Sequence, residues 1–127
     1  MNRNLRPPFD NFRLEKSAGE YKDFQLSDDD PYPLKGVTYP VDYGDIPNYI
    51  GEDGADLDVF LGSGTIHGFM KVNRPELPNG ETKFLVNVTE DEATAIFKAF
   101  ESVLASNGLF DSYDDLLGAI KRFEKHI

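Results

Sequence analysis

The sequence predicts an α+β protein in which short strands come first and two helices follow. Apolar-rich segments at 36–39, 57–61, 65–73 and 82–88 are separated by turns rich in glycine and proline, which predicts a small twisted sheet or barrel. After residue 88 the apolar residues recur at helical spacing instead. The 127 residues fit one domain, 1–127, and Pro7-Pro8 favours a loose arm over residues 1–10.

Two helices are expected in the last third of the chain. Thr89 and Glu92 have the spacing of a capping box, so the first helix should begin there. Its apolar positions continue to Leu104, and Asn107-Gly108 is expected to end it. The second helix should begin near Ser112, with an apolar stripe made by Leu116, Leu117, Ile120 and Phe123.

Charge and composition exclude several classes of function. Thirteen Lys and Arg against 23 Asp and Glu give a net charge of −10, which argues against binding to nucleic acid or to an anionic membrane. The chain has no cysteine, so disulfides and thiolate metal sites are excluded. It shows neither a signal-peptide pattern nor an apolar run of membrane-spanning length, and a cytoplasmic location is therefore expected.

The most informative stretch is 39–62, YPVDYGDIPNYIGEDGADLDVFLG. Four acids, Glu52, Asp53, Asp56 and Asp58, fall within seven residues, and the last adjoins the apolar run Val59-Phe60-Leu61. A carboxylate beside a buried strand needs a cation, a partner charge or water. Clustered hard oxygen ligands suit Mg²⁺, with Mn²⁺ as an alternative.

Two segments of this stretch resemble the family I inorganic pyrophosphatases. That family has a Tyr-Pro-x-x-Tyr-Gly segment and then an Asp-Gly-Asp-x-x-Asp-Val segment; here YPVDYG stands at 39–44 and DGADLDV at 53–59. The Gly-x-x-Lys segment from Gly68 to Lys71 and the Glu81-Thr82-Lys83 segment are similar as well. The resemblance implies a five-stranded, OB-like β-barrel with flanking helices, homo-oligomers, and Mg²⁺-dependent hydrolysis of pyrophosphate.

The resemblance also implies roles for individual residues. The metal ligands would be Asp53, Asp58, Glu81 and Glu76, and Asp58 would bridge the metals that activate water. The substrate phosphates would contact Lys83, Tyr43, Tyr39 and Lys35. Two close metals lower the pKa of water and neutralise charge on the attacking and leaving oxygens.

The chain departs from the family pattern at the acid that deprotonates water, where it has Ala55. Asp56 or Glu52 could replace that acid, and the predicted catalytic residues are Asp58, Asp56 and Tyr43. A further metal acid aligns with Glu76 when counted back from Lys83, but with Arg74 when counted forward from Lys71.

Three functions are therefore open. The first is a hydrolase of pyrophosphate or a related phosphoanhydride. The second is a catalytically impaired relative that serves as a phosphate-binding or metal-binding module or as an assembly subunit, since a fold can outlast its chemistry. The third is a purely structural acidic β-barrel in which Asp53 and Asp58 only cap turns or pair with lysines.

Overall fold

The computed structural model describes residues 5–125, which form a six-stranded sheet, a two-stranded sheet and two α-helices. The strands are β1 (Arg13–Lys16), β2 (Tyr21–Asp23), β3 (Gly36–Thr38), β4 (Asp42–Ile50), β5 (Asp56–Leu61), β6 (Ile66–Arg74), β7 (Leu77–Val88) and β8 (Leu104–Phe110). The helices are α1 (Glu90–Ala99) and α2 (Tyr113–Ile120). The large sheet has the order β1-β4-β5-β7-β6-β8, parallel only between β5 and β7, and β2 pairs with β3.

The prediction of a closed five-stranded barrel is wrong, although the α+β composition is right. Within residues 5–125 the large sheet is open, with β1 at one edge and β8 at the other. The physical reason is that both faces of the sheet are covered. On β5, Leu57, Val59 and Leu61 are buried on one face of the sheet and Phe60 on the other. Apolar packing therefore lies on both faces of the strand, whereas a small barrel has an apolar inner face and a solvated outer one.

The two cores lie on opposite faces of the large sheet. The first core joins buried residues of the large sheet to α1, β3 and the segments around them: Leu34, Val37, Tyr39, Val41, Tyr43, Phe60, Met70, Val72, Leu85, Val88, Ala93, Ile96, Phe100 and Val103. The second core joins the other face to α2 and the N-terminal segment: Phe9, Ile46, Leu57, Val59, Leu61, Phe84, Val86, Leu116 and Ile120.

The first helix is shorter than the sequence predicts. The capping box at Thr89 and Glu92 is present, but α1 ends at Ala99 and a single 3₁₀ turn follows over Glu101–Val103. That turn keeps Val103 in the first core, which explains the helical spacing in the sequence. Residues 104–110 are then free to pair with β6 as β8, so Asn107-Gly108 lies within a strand and does not end a helix.

The N-terminal segment is packed against the domain where the structure describes it. Residues 1–4 of the predicted loose arm lie outside the described range. Phe9 is 1% exposed and belongs to the second core, and the Arg6 guanidinium lies 3.4 Å from the ring centroid of Tyr113. No helix within residues 5–125 is both long enough and apolar enough to cross a membrane.

The capping box gives a direct test of how α1 is held. The Thr89 hydroxyl accepts a hydrogen bond from the Glu92 amide (3.0 Å), and the Glu92 carboxylate accepts from the Thr89 amide (2.8 Å). Thr89→Ala should lower the free energy of unfolding by about 1 kcal/mol, measured by urea denaturation. Thr65→Ala, at an exposed threonine before β6, is the control. Equal losses in the two variants would contradict a capping role for Thr89.

Candidate functional site: an acidic cleft on the large sheet

A cleft of about 340 Å³ opens on the sheet face that carries the first core. Six carboxylates line it, together with three cationic side chains and a few aromatic or small ones. The acids are Glu15, Asp45, Asp53, Asp56, Asp58 and Glu81; the cations are Lys22, Arg74 and Lys83; the others are Phe24, Tyr39, Tyr43 and Ala55. The excess of acids makes this cleft attractive to cations.

Strand register places charged residues in a row across four neighbouring strands. Arg13 on β1 is opposite Asp45 on β4, and Asp45 is opposite Asp58 on β5. Lys83 on β7 comes one position before the Val59–Phe84 pair, which sets it beside Asp58. Asp45 and Asp58 are directly opposite each other and therefore repel. The cations at the two ends of the row, Arg13 and Lys83, offset this repulsion.

The ammonium of Lys83 is the centre of the cleft's polar network. Its Nζ donates to Tyr43 Oη (2.7 Å) and to Asp58 Oδ2 (2.9 Å), and it lies 3.0 Å from Glu81 Oε1. The Lys83 and Glu81 residues are 6% and 3% exposed. An ammonium group has three N–H donors, so these three partners account for all of them. In this arrangement Lys83 compensates two carboxylates and has no donor left for a substrate.

The protonation states of this network follow from burial and charge. Burial opposes the charge on Lys83, but Tyr43, Asp58 and Glu81 outweigh that penalty and hold the pKa of Lys83 well above its usual value. Burial raises the pKa of Glu81, and Lys83 partly offsets the rise. Burial also raises the pKa of Tyr43 well above its usual value. Tyr43 is therefore a neutral phenol at physiological pH.

Two stacked tyrosines form the apolar wall of the cleft. The rings of Tyr39 and Tyr43 are 4.9 Å apart between centroids, and the ring of Tyr43 also contacts Phe60 at 4.8 Å. Burial raises the pKa of Tyr39 to about 12. Tyr43 Oη accepts from Lys83, and the phenol also shares a hydrogen bond with the Asp58 side chain. Its proton can therefore be donated to a ligand only when the bond to Asp58 is given up.

The turn between β4 and β5 positions Asp53 and Ala55 at the cleft. Asp53 Oδ1 accepts from the Ala55 amide (3.0 Å), and Gly54 adopts φ +82°, a conformation that glycine takes without strain. The Asp53 side chain also interacts with that of Glu81. Glu52, one of the two candidates for the missing acid, is bound to Thr82 through both oxygens (3.0 Å to N, 2.6 Å to Oγ1). Its carboxylate is thus engaged outside the cleft lining.

The other candidate, Asp56, lies in the cleft but is bound by an arginine. Arg13 Nε donates to Asp45 Oδ1 (2.8 Å), and its second nitrogen, Nη2, binds Asp56. The Arg13 side chain is 56% exposed, and an exposed ion pair of this kind contributes only about 0–1 kcal/mol. A ligand can therefore displace Arg13 from Asp56 at low cost.

Two of the predicted site residues do not line the cleft. Glu76 is bound to Arg74 (2.5 Å), and its side chain is 55% exposed. Counting forward from Lys71 puts Arg74 at the family's metal-ligand position, and Arg74, unlike Glu76, lines the cleft. Lys35 is exposed, and its Nζ lies 3.5 Å from the backbone oxygens of Asp30 and Tyr32. The remaining predicted residues, Asp53, Asp56, Asp58, Glu81, Lys83, Tyr39 and Tyr43, all line the cleft.

Sequence reasoning missed Asp45 and Arg13. Asp45 follows Tyr43 by two positions, so it shares a face with Tyr43 once 42–50 is recognised as a strand. The strand is difficult to recognise in the sequence because prolines and a glycine interrupt it or precede it: Pro40, Gly44 and Pro47. Pro47 is tolerated because it lies where the pairing of β4 with β5 shifts register, between Ile46 and Ile50. Arg13 is 32 residues from Asp45, and no local signal connects them.

The donors of the cleft fit Mg²⁺ in chemistry, although their present partners are protein cations. Carboxylate oxygens are the ligands that Mg²⁺ prefers, and Asp53, Asp56 and Asp58 come from one hairpin. Among residues 5–125, no three acidic or histidine side chains are already arranged to hold a metal ion. Metal binding would require Asp56 to leave Arg13, whereas Lys83 binds only one of the two oxygens of Asp58.

Comparison with known proteins adds nothing to this geometry, since no family model, curated protein or solved structure matches the chain.

The charge-compensating role of Lys83 predicts a stability change that depends on pH. Lys83→Met removes the cation beside Asp58 and one of the two cations beside Glu81, the other being Arg74. It should cost about 3–5 kcal/mol at pH 7, the scale for breaking a buried ion pair. The folded chain holds the Glu81 proton more tightly than the unfolded chain, because the pKa of Glu81 is raised. The stability from that proton is complete below pH 4.5, the ordinary value, and is lost as pH rises through the raised pKa.

Removing Lys83 raises the pKa of Glu81 further, so Glu81 takes up a proton and becomes neutral at a higher pH. The loss of unfolding free energy caused by Lys83→Met should therefore become smaller as pH falls towards 4. Urea denaturation between pH 4 and 8 measures it. Lys71→Met, at a partly exposed lysine on β6, is the matched control and should change stability by about 0.5 kcal/mol or less. A deficit that does not vary with pH would contradict the compensating role.

Proposed function

We propose that the cleft hydrolyses pyrophosphate or a related phosphoanhydride with Mg²⁺ as cofactor, Mn²⁺ being the alternative. The observation that carries this proposal is the meeting of two kinds of group in one cleft. Asp53, Asp56 and Asp58 supply oxygen ligands for a divalent cation, while Arg74 and the Tyr43 hydroxyl supply donors for phosphate oxygens. Phosphoryl transfer needs this combination of positioning and charge neutralisation.

The metal would be held by Asp53, Asp56, Asp58 and Glu81, which line the same cleft. When bound, the metal lowers the pKa of water and neutralises charge on the phosphates. The open sheet does not provide the barrel that the family resemblance implies, so the proposal rests on the cleft and on the two sequence motifs.

The side chains have separate tasks in the proposed reaction. Arg74 and Lys22 bind phosphate oxygens, and the neutral Tyr43 donates a hydrogen bond to one of them once Asp58 has turned from it to the metal. Water adds to one phosphorus and the bond from that phosphorus to the bridging oxygen breaks, with the electron pair leaving on the departing phosphate. Asp56, once Arg13 has moved away, accepts the proton of the water.

Lys83 acts in this scheme as a positioning residue. Its three donors are used by Tyr43, Asp58 and Glu81, so it orients the tyrosine hydroxyl and two carboxylates and does not itself bind phosphate. The predicted phosphate contacts of Lys35 and the predicted metal contact of Glu76 are not part of the proposal, because neither residue lines the cleft.

A second function is favoured by one feature of the cleft. Ala55 lines it where the resembling family has its base, and the nearest acid, Asp56, is already bound to Arg13. These contacts favour a module that binds a divalent cation or phosphate without turnover. Such a module would bind the metal but release no phosphate from pyrophosphate. Cytoplasmic location and homo-oligomer formation stay predictions from the sequence.

The hydrolase proposal predicts the effect of one substitution. Asp58→Asn keeps the size of the side chain but weakens the metal site, so phosphate release from pyrophosphate with Mg²⁺ should fall by roughly two orders of magnitude or more. Release by the unmodified chain should stop when a chelator is added. Phosphate release is measured at matched protein concentration.

Asp114→Asn, at an exposed acid in the first turn of α2, is the matched control and should retain full turnover. Thermal denaturation of each variant separates loss of fold from loss of chemistry. Unchanged turnover in a folded Asp58→Asn variant would show that the metal site is elsewhere. No turnover by the unmodified chain with either metal would favour the binding module.

A further inference from the structure

A second cavity adjoins the acidic cleft and shares one residue with it. It has a volume of about 270 Å³ and lies among β6, the loop before β3 and the 3₁₀ turn that follows α1. Arg74 lines both cavities. A ligand whose phosphates lie in the cleft would therefore extend past the Arg74 guanidinium into the second cavity.

The walls of the second cavity have the chemistry of a site for a flat ring. Tyr32, Pro33 and Pro75 supply rigid apolar surfaces, and Asn73 and Ser102 add polar groups at the rim. Apolar walls with a few placed polar groups are typical of sites for organic ligands. Complete ligand pockets measure about 300–1,000 Å³, so the 270 Å³ found here suits a single ring system.

The principal wall of this cavity is already fixed in place. Tyr32 Oη donates to the backbone oxygen of Asn73 (2.8 Å), and the Tyr32 amide donates to Asp30 Oδ1 (3.0 Å). The phenol is also close enough to Arg74, Lys83 and Glu81 to interact with their charges. The ring surface and the charged cleft therefore belong to one connected region.

Arg74 is suited to the junction between the two cavities. Its two terminal nitrogens contact Glu81 (3.2 Å) and Glu76 (2.5 Å), which orient the guanidinium. A guanidinium has five N–H donors, so others remain for a phosphate, and its plane suits two phosphate oxygens at once. Inorganic pyrophosphate, charged throughout, would leave the apolar cavity empty.

We infer that the substrate is a phosphoanhydride carrying an aromatic base, of the nucleoside diphosphate class. Its phosphates occupy the acidic cleft, Arg74 holds the phosphate nearest the organic part, and the base lies against Tyr32 and the two prolines. This inference rests on the proposed function and narrows its substrate class.

The test compares adenosine diphosphate with pyrophosphate as analogues that resist hydrolysis, the α,β-methylene compound and imidodiphosphate, both titrated calorimetrically with Mg²⁺ into the full chain. Adenosine diphosphate should bind about tenfold more tightly, since the base gains contacts that pyrophosphate lacks. Ser102→Phe, at an exposed residue that lines only the second cavity, should remove that advantage and leave the affinity for pyrophosphate within about twofold. Ser106→Phe, at an exposed serine of β8 outside both cavities, is the matched control and should preserve the advantage.

Two results would overturn the inference, and they are distinguishable. If pyrophosphate binds and adenosine diphosphate binds no more tightly to the unmodified chain, the second cavity has no role while the proposed function stands. If neither compound binds, the proposed function fails together with the inference. The comparison on the unmodified chain decides the first case even if Ser102→Phe does not fold.

Discussion

The rest of the site depends on one buried ammonium group. Lys83 brings together Tyr43 from β4, Asp58 from β5 and Glu81 from β7, and each of these side chains would be costly to bury alone. The free-energy cost of burying the carboxylates is offset here by the ammonium group of Lys83. As a result the cleft is a preformed acidic surface whose negative charges are only partly compensated within the fold.

Sheet architecture explains why these groups meet. Parallel pairing of β5 and β7 sets Asp58 beside Lys83, and antiparallel pairing of β4 and β5 sets Asp45 opposite Asp58. Each strand is apolar on its other face, where Leu57, Val59 and Phe84 form the second core. The register that buries this core therefore also places the charges, because a slip of one residue would move every side chain to the opposite face.

Local sequence patterns predict the local parts of this structure and not the long-range ones. The capping box at Thr89 and the strands around 57–61 and 82–88 follow from short patterns, whereas the meeting of Asp53, Asp58 and Glu81 is implied only by the family resemblance. Sheet closure does not follow from short patterns, because it depends on what covers each face. Long-range pairing also explains why the sequence assigns Lys83 a phosphate contact. Its three partners come from β4, β5 and β7, and they are identified only when these strands are paired.

The central claim is that the carboxylates and the phosphate-binding donors form a single metal–phosphate site. The most direct measurement is calorimetric titration of Mn²⁺ into the full chain, with and without imidodiphosphate, which mimics pyrophosphate. Since coupling between two ligands is reciprocal, the phosphate compound should tighten Mn²⁺ binding by about tenfold or more. Equal Mn²⁺ affinity in both titrations, or no Mn²⁺ binding in either, would contradict the account.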